Sequence, residues 1–126
     1  MNLTLLLRVN AIVAGLFGIG FLVAPAAFGS AYAGGVNATT ELALRYFGAA
    51  NLVIGTVSWF AAAATPSPLR LWIVRVFALY AALGLLLDFM GMSSAVMGAT
   101  GWVNVVIDVA FLAGFGYYGF VKAEAA

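Results

Sequence analysis

A chain of 126 residues that is 66% hydrophobic and 7% charged lies far from soluble domains, in which roughly a quarter of residues carry charge, so lipid is its expected solvent. A net charge of +1, with the basic residues scattered, excludes a nucleic-acid partner engaged through a basic patch. The chain contains no cysteine and no histidine, which removes disulfides, thiolate nucleophiles, most zinc and copper sites, and haem or chlorophyll-type pigments held by a His ligand. No cofactor is therefore expected by ligation, while a lipid, quinone or pigment held by packing and hydrogen bonds stays open.

The predicted fold is an all-α membrane protein, a single domain over 1–126 forming an up-down-up-down bundle of transmembrane helices at about 3–24, 40–63, 68–91 and 102–122. From Leu3 to Ala24 the only polar side chains are Thr4, Arg8 and Asn10. At 1.5 Å per residue the stretch spans about 33 Å, enough for a hydrocarbon core of about 30 Å. Pro25 ends it. This opening also has marks of a signal peptide, with Arg8 as the basic flank and Ala31-Tyr32-Ala33 as a small-residue cleavage site, but we expect a retained first helix.

The stretch from Pro25 to Thr40 is rich in Gly, Ala and Ser and carries Phe28 and Tyr32 without Lys or Arg, as expected of a loop in the headgroup region. Thr39 or Thr40 suits the cap of the second helix. Glu41 in its first turn complements the helix dipole and stands four residues before Arg45, the favourable order for an ion pair along one face.

Thr65-Pro66-Ser67-Pro68 separates the second and third helices, with Ser67 placed as N-cap and Pro68 as first helical residue. The third helix carries Arg70 and Arg75 near its start, Tyr80 near its middle and Asp88 near its end. A short uncharged loop from Gly91 to Gly101 leads to the fourth, where Asn104 and Asp108 lie one turn apart on one face.

Arg8, Arg70, Arg75 and Lys122 fall at one membrane face as a basic inner rim, against Arg45 alone at the other. This bias predicts a bacterial inner-membrane protein with both termini cytoplasmic, and the rim also suits anionic lipid. Trp59, Phe60, Trp72, Tyr117, Tyr118 and Phe120 mark the inner boundary, and Tyr32, Tyr46 and Trp102 the outer one. Arg8-Val9-x-Ala11-x-x-Ala14-x-Leu16 matches Arg75-Val76-x-Ala78-x-x-Ala81-x-Leu83, a faint repeat that would relate parallel halves of two spans each.

In this topology Arg45, Asp88, Asn104 and Asp108 all fall in the outer half of the membrane. Ionisable residues there cost about 2.5–3.5 kcal/mol each on insertion scales and usually face a partner or a water-filled cavity. The four form the candidate polar cluster, read either as an Arg45–Asp108 pair that fixes helix register while Asp88 reaches the headgroups, or as an Arg–Asp site gating a small polar ligand or relaying protons. Asn51 and Tyr80, at mid-membrane, are candidates for interhelical hydrogen bonding or ligand recognition, and Asn10 could join either network. Catalytic and metal residues are not expected. Small residues four apart, Ala11/Gly15, Ala14/Gly18, Ala78/Ala82 and Ala110/Gly114, predict packing seams. The glycines of the fourth helix, Gly114, Gly116 and Gly119, could seat a partner helix or a lipid.

From Arg8 to Pro25, and at Leu44-Arg45-x-x-Gly48-Ala49 followed by Asn51 to Gly55, the chain resembles the small four-span bacterial membrane proteins of the DoxX-like and related groups. That resemblance implies a four-helix inner-membrane protein, sometimes associated with a larger redox system, and supplies no active-site residues. Small multidrug exporters carry an acidic residue in their first helix, which this chain lacks. Fluoride channels carry a Phe-Ser-Thr-rich break in the third, which is absent here. The expected function is a non-catalytic accessory subunit of a respiratory, photosynthetic or oxygenase-type membrane complex, with membrane lipids and other membrane-protein subunits as partners. A transporter or channel using the Arg–Asp cluster is the alternative, and an enzyme acting on a lipid is a third reading.

Overall fold

The computed structural model describes residues 2–32 and 35–123; Ala33, the last residue of the cleavage-site pattern, lies outside them. Their secondary structure is entirely helical: α1 (Leu3–Val23), α2 (Pro25–Tyr32), α3 (Ala38–Ala63), α4 (Pro68–Ser93) and α5 (Gly101–Gly116), followed by a π-helical turn over Tyr117–Val121. Leu3–Val23, Ala38–Ala63, Pro68–Ser93 and Gly101–Val121 are each long and apolar enough to cross a membrane.

The helix starts follow their caps. Asn2 Oδ1 accepts from the Leu5 amide at 2.8 Å. Ser67 Oγ accepts from the Arg70 amide at 3.2 Å, with Pro68 leading α4 as expected. The cap of α3 is Asn37 rather than Thr39 or Thr40: its Oδ1 accepts from the Thr40 amide at 2.9 Å and from the Thr40 hydroxyl at 3.1 Å. The short oxygen of Asn reaches back to the third helical amide more readily than a β-branched Thr already inside the first turn.

The expected loop after Pro25 is partly helical. Pro25 disfavours helical backbone at Ala24 (φ −133°, ψ 59°), which ends α1. Its fixed φ then suits it to the first position of a new helix, α2. Phe28 from α2 lies directly over Gly20, where any Cβ would meet its ring at 2.3 Å. The Phe28 ring meets Phe21 edge-on at 5.6 Å, and Phe21 in turn meets Phe47 of α3 at 5.2 Å. These aromatic contacts hold α2 across one end of the α1/α3 pair.

Two hairpins build the bundle: α1 packs mainly on α3, and α4 on α5. Glycines set the first. A Cβ at Gly48 would stand 2.9 Å from the Gly18 carbonyl oxygen, and one at Gly55 would stand 3.0 Å from that of Ala11. The two backbones therefore touch, the close approach that small residues permit between membrane helices. Further along the seam the Ser58 hydroxyl donates to the Leu7 carbonyl at 2.8 Å and accepts from the Asn10 amide at 3.1 Å. Asn10 thus belongs to this seam and not to the polar groups of α4 and α5. The contacts descend α1 as they ascend α3, so the pair is antiparallel.

The second hairpin is also antiparallel, with Gly84 against Asp108, Phe77 against Phe115 at 5.3 Å, and the Arg75 Nε donating to the Gly119 carbonyl at 3.0 Å. That last bond satisfies a backbone oxygen in the π-helical turn, which replaces the expected continuation of the α-helix to Lys122. Leu3, Leu6, Leu7, Ala61, Ala62, Val74, Phe77, Ala78 and Phe115 form the buried core that ties the hairpins together. It lies at the end of the bundle carrying Arg8, Arg70 and Arg75.

Candidate functional site

Toward the opposite end a partly open cavity of about 590 Å³ lies between the hairpins. Its walls are mainly apolar, with Phe17 and Phe21 on the α1 side and Leu83, Leu87 and Ile107 on the α4/α5 side; Phe77 and Phe115 separate it from the core. The Gly98 amide donates to the Tyr32 carbonyl at 2.7 Å, which joins the end of α2 to the loop between α4 and α5.

Three of the four residues of the expected cluster come together on this cavity: Asp88, Asn104 and Asp108. Gly84 and Asp88 are one turn apart on α4, as Asn104 and Asp108 are on α5, so the two faces meet as paired steps. A Cβ at Gly84 would stand 2.2 Å from Asp108 Oδ2; the missing side chain is the space that the Asp108 carboxylate occupies. Asn104 is a polar neighbour of Asp88. Nevertheless Asp88, only 6% exposed, keeps its Oδ2 buried without a hydrogen-bond partner.

Arg45 is the exception. It is exposed on α3, and its guanidinium donates to the Leu22 carbonyl. The reason is local. Leu22 lies in the last turn of α1, where carbonyls have no amide further along the helix to accept from, and that helix supplies no basic residue of its own in the turn. A cation from α3 satisfies the orphan oxygen and the negative end of the dipole. The expected Arg45–Asp108 pair is thus replaced by a helix cap contributed in trans.

The mid-bundle pair divides its roles. Asn51 is buried and donates to the Phe47 carbonyl of its own helix at 3.0 Å; it also faces the side chain of Tyr80, and both line the cavity. Tyr32 lines it too. Partial burial, and to a smaller extent the Asp88 carboxylate, push the Tyr32 phenol above its ordinary value, so it remains a protonated donor beside the acids.

The basic rim is only partly a rim. Arg8 lies over the Trp59 ring at 5.2 Å, Arg75 lies between Trp72 at 5.1 Å and Phe120 at 5.4 Å, and Lys122 is exposed. Arg70, in contrast, is 5% exposed and turns inward to donate to the Thr4 hydroxyl at 3.2 Å. Its place in the first turn of α4, directly after the Ser67 cap, aims it across at the start of α1. The glycine face of the fourth span is also largely filled: a Cβ at Gly114 would meet Leu6 at 2.9 Å, and one at Gly119 would meet Arg75 at 3.2 Å, while Gly116 alone is open.

The sequence reading missed the role of α2 as a cover and of Phe17, Phe21 and Gly84 in shaping the cavity. Gly84 carried a signal, because a glycine one turn before an acid on a long apolar helix marks room for a second polar group. Comparison with protein-family models, with curated proteins and with solved structures returns no match.

Proposed function

We propose that this protein is a non-catalytic accessory subunit of a larger membrane complex, and that it holds a small, largely apolar molecule between its two hairpins. The observation that carries the reading is the cavity of about 590 Å³. Its size falls within the usual range for small-molecule sites, about 300–1,000 Å³, and its apolar walls with a few convergent polar groups match their usual chemistry. A chain without imidazole or thiol is better suited to binding than to metal or acyl chemistry.

In this reading the four long helices cross a bacterial inner membrane up and down, with the basic end and both termini in the cytoplasm. The cavity then lies in the outer half of the bilayer. Exposed Leu16, Ile19, Val53, Leu79, Leu86 and Val106 face lipid or neighbouring subunits. The resemblance to DoxX-like proteins favours a redox complex as the setting. A transporter gated by an Arg45–Asp108 pair has less support, because Arg45 is committed to the end of α1.

Purification in mild detergent, followed by solvent extraction and mass spectrometry of both small molecules and stoichiometric proteins, tests the proposal. A defined apolar compound together with a partner subunit supports it. A clean monomer or homodimer that carries and takes up no apolar molecule overturns it. Orientation is tested separately: a cysteine at Thr65, in the exposed turn between α3 and α4, should label only from the cytoplasmic side.

A further inference from the structure

Asp88 and Asp108 sit on adjacent helices within electrostatic reach of each other, and both line the cavity. Among the described residues no Lys or Arg lines it; the nearest candidate by sequence, Arg45, is spent on the Leu22 carbonyl. Asp88 is the sharper observation: a side chain more than nine-tenths buried, at the cavity wall, with one oxygen that has no donor among the described residues. A buried polar atom in apolar surroundings is costly until a donor reaches it, and for an ionised carboxylate the cost is far larger.

Aromatic rings surround the same space, among them Phe17, Phe21, Tyr32, Tyr80 and Phe111. Ring faces attract cations, most strongly where water is excluded. A neutral apolar ligand would use the walls and leave Asp88 Oδ2 without a donor. A small hydrated metal ion would use the carboxylates and leave the apolar walls and most of the volume idle. A molecule with a protonated amine at one end and an alkyl or aryl body uses both.

Resting on the binding reading above, we infer that the cavity takes an apolar amine in its protonated form, with the ammonium donating to the Asp88 carboxylate beside Asp108 and the body lying among the aromatic rings. Asp88 is the anchor and Asp108 supplies the second negative charge. Asn104 orients the Asp88 carboxylate from the α5 side.

The test is calorimetric titration of the full chain in nonionic detergent with 2-phenylethylamine at neutral pH, with 2-phenylethanol as the uncharged counterpart and decylubiquinone as a neutral apolar probe. The amine should bind the unaltered protein about tenfold or more tighter than the alcohol, the worth of one charge-assisted hydrogen bond. Asp88→Asn should bring the ratio of amine to alcohol affinity, measured on the same protein, down to about one. Equal affinity of amine and alcohol on the unaltered protein overturns the inference without requiring any variant to fold. So does an undiminished preference in a folded Asp88→Asn protein. Binding of decylubiquinone alone overturns the amine while leaving the binding function standing, whereas no binding by any of the three removes both.

Discussion

At the basic end of the bundle, Leu6, Leu7, Val74 and Phe115 from three helices meet at one depth and bury one another almost completely. Toward the other end the space between the same helices is a cavity lined by Asp88, Asn104, Asp108 and aromatic rings. The helices are continuous from one end to the other, so backbone propensity does not explain the contrast. It comes from what each hairpin presents to the other. Near the core both present large apolar side chains. Further along, glycine draws α1 onto α3, so that hairpin closes on itself, while Gly84 and Asp108 draw α5 onto α4. Cohesion is concentrated away from the proposed binding cavity, the division expected when a site is made at some cost in stability.

Phe115→Ala attacks the closed end and should have the largest effect, about 3 kcal/mol, since it removes the ring that packs on both Phe77 and Phe111. The fall in thermal midpoint in detergent measures it, and a loss under a few tenths of a kcal/mol would mean that the core is not what joins the hairpins. Next comes Gly48→Val, expected to cost about 1–3 kcal/mol, because its neighbours at 2.9–3.0 Å include the Gly18 carbonyl oxygen and the Leu22 amide nitrogen, backbone atoms that cannot rotate away. A variant as stable as the parent would show that the α1/α3 seam tolerates separation.

Much of the closed end was legible in the sequence. The four long apolar helices, the Ser67 cap with Pro68 after it, and the small residues Ala11, Ala14 and Gly18 on α1 all follow from local pattern, because each depends on neighbours in the chain. The open end was legible only in part. Asp88, Asn104 and Asp108 announce themselves as costly residues in an apolar chain, and helix geometry puts them at similar depth. Depth says nothing about rotation, however, and Arg45 occupies the right depth while pointing toward α1. The helix α2 was hidden because Ala24 offers no side-chain cap and Gly29 weakens the pattern, so the Pro25 signal read as a stop instead of a start. The cavity itself depends on how the two hairpins pack against each other, which no periodicity records.

A smaller effect is expected at the seam between these regions. Ser58→Ala removes the hydroxyl that bridges Leu7 and Asn10 and should cost about 0.6–1.7 kcal/mol, the range for polar contacts between membrane helices. Measured by the midpoint of thermal unfolding, a larger loss would make polar bonding rather than close backbone contact the main tie between α1 and α3.

The central claim is that Asp88 is kept for binding at the expense of the bundle, and Asp88→Leu without added ligand tests it most directly. Replacing a buried carboxylate, one of whose oxygens lacks a donor, by an apolar side chain of suitable volume removes a desolvation cost larger than the single Asn104 contact it gives up, and the cavity beside it gives the new side chain room. The thermal midpoint in the same detergent should therefore be equal to or higher than that of the unaltered protein. A fall of several degrees would contradict the account and make Asp88 a structural member of the bundle.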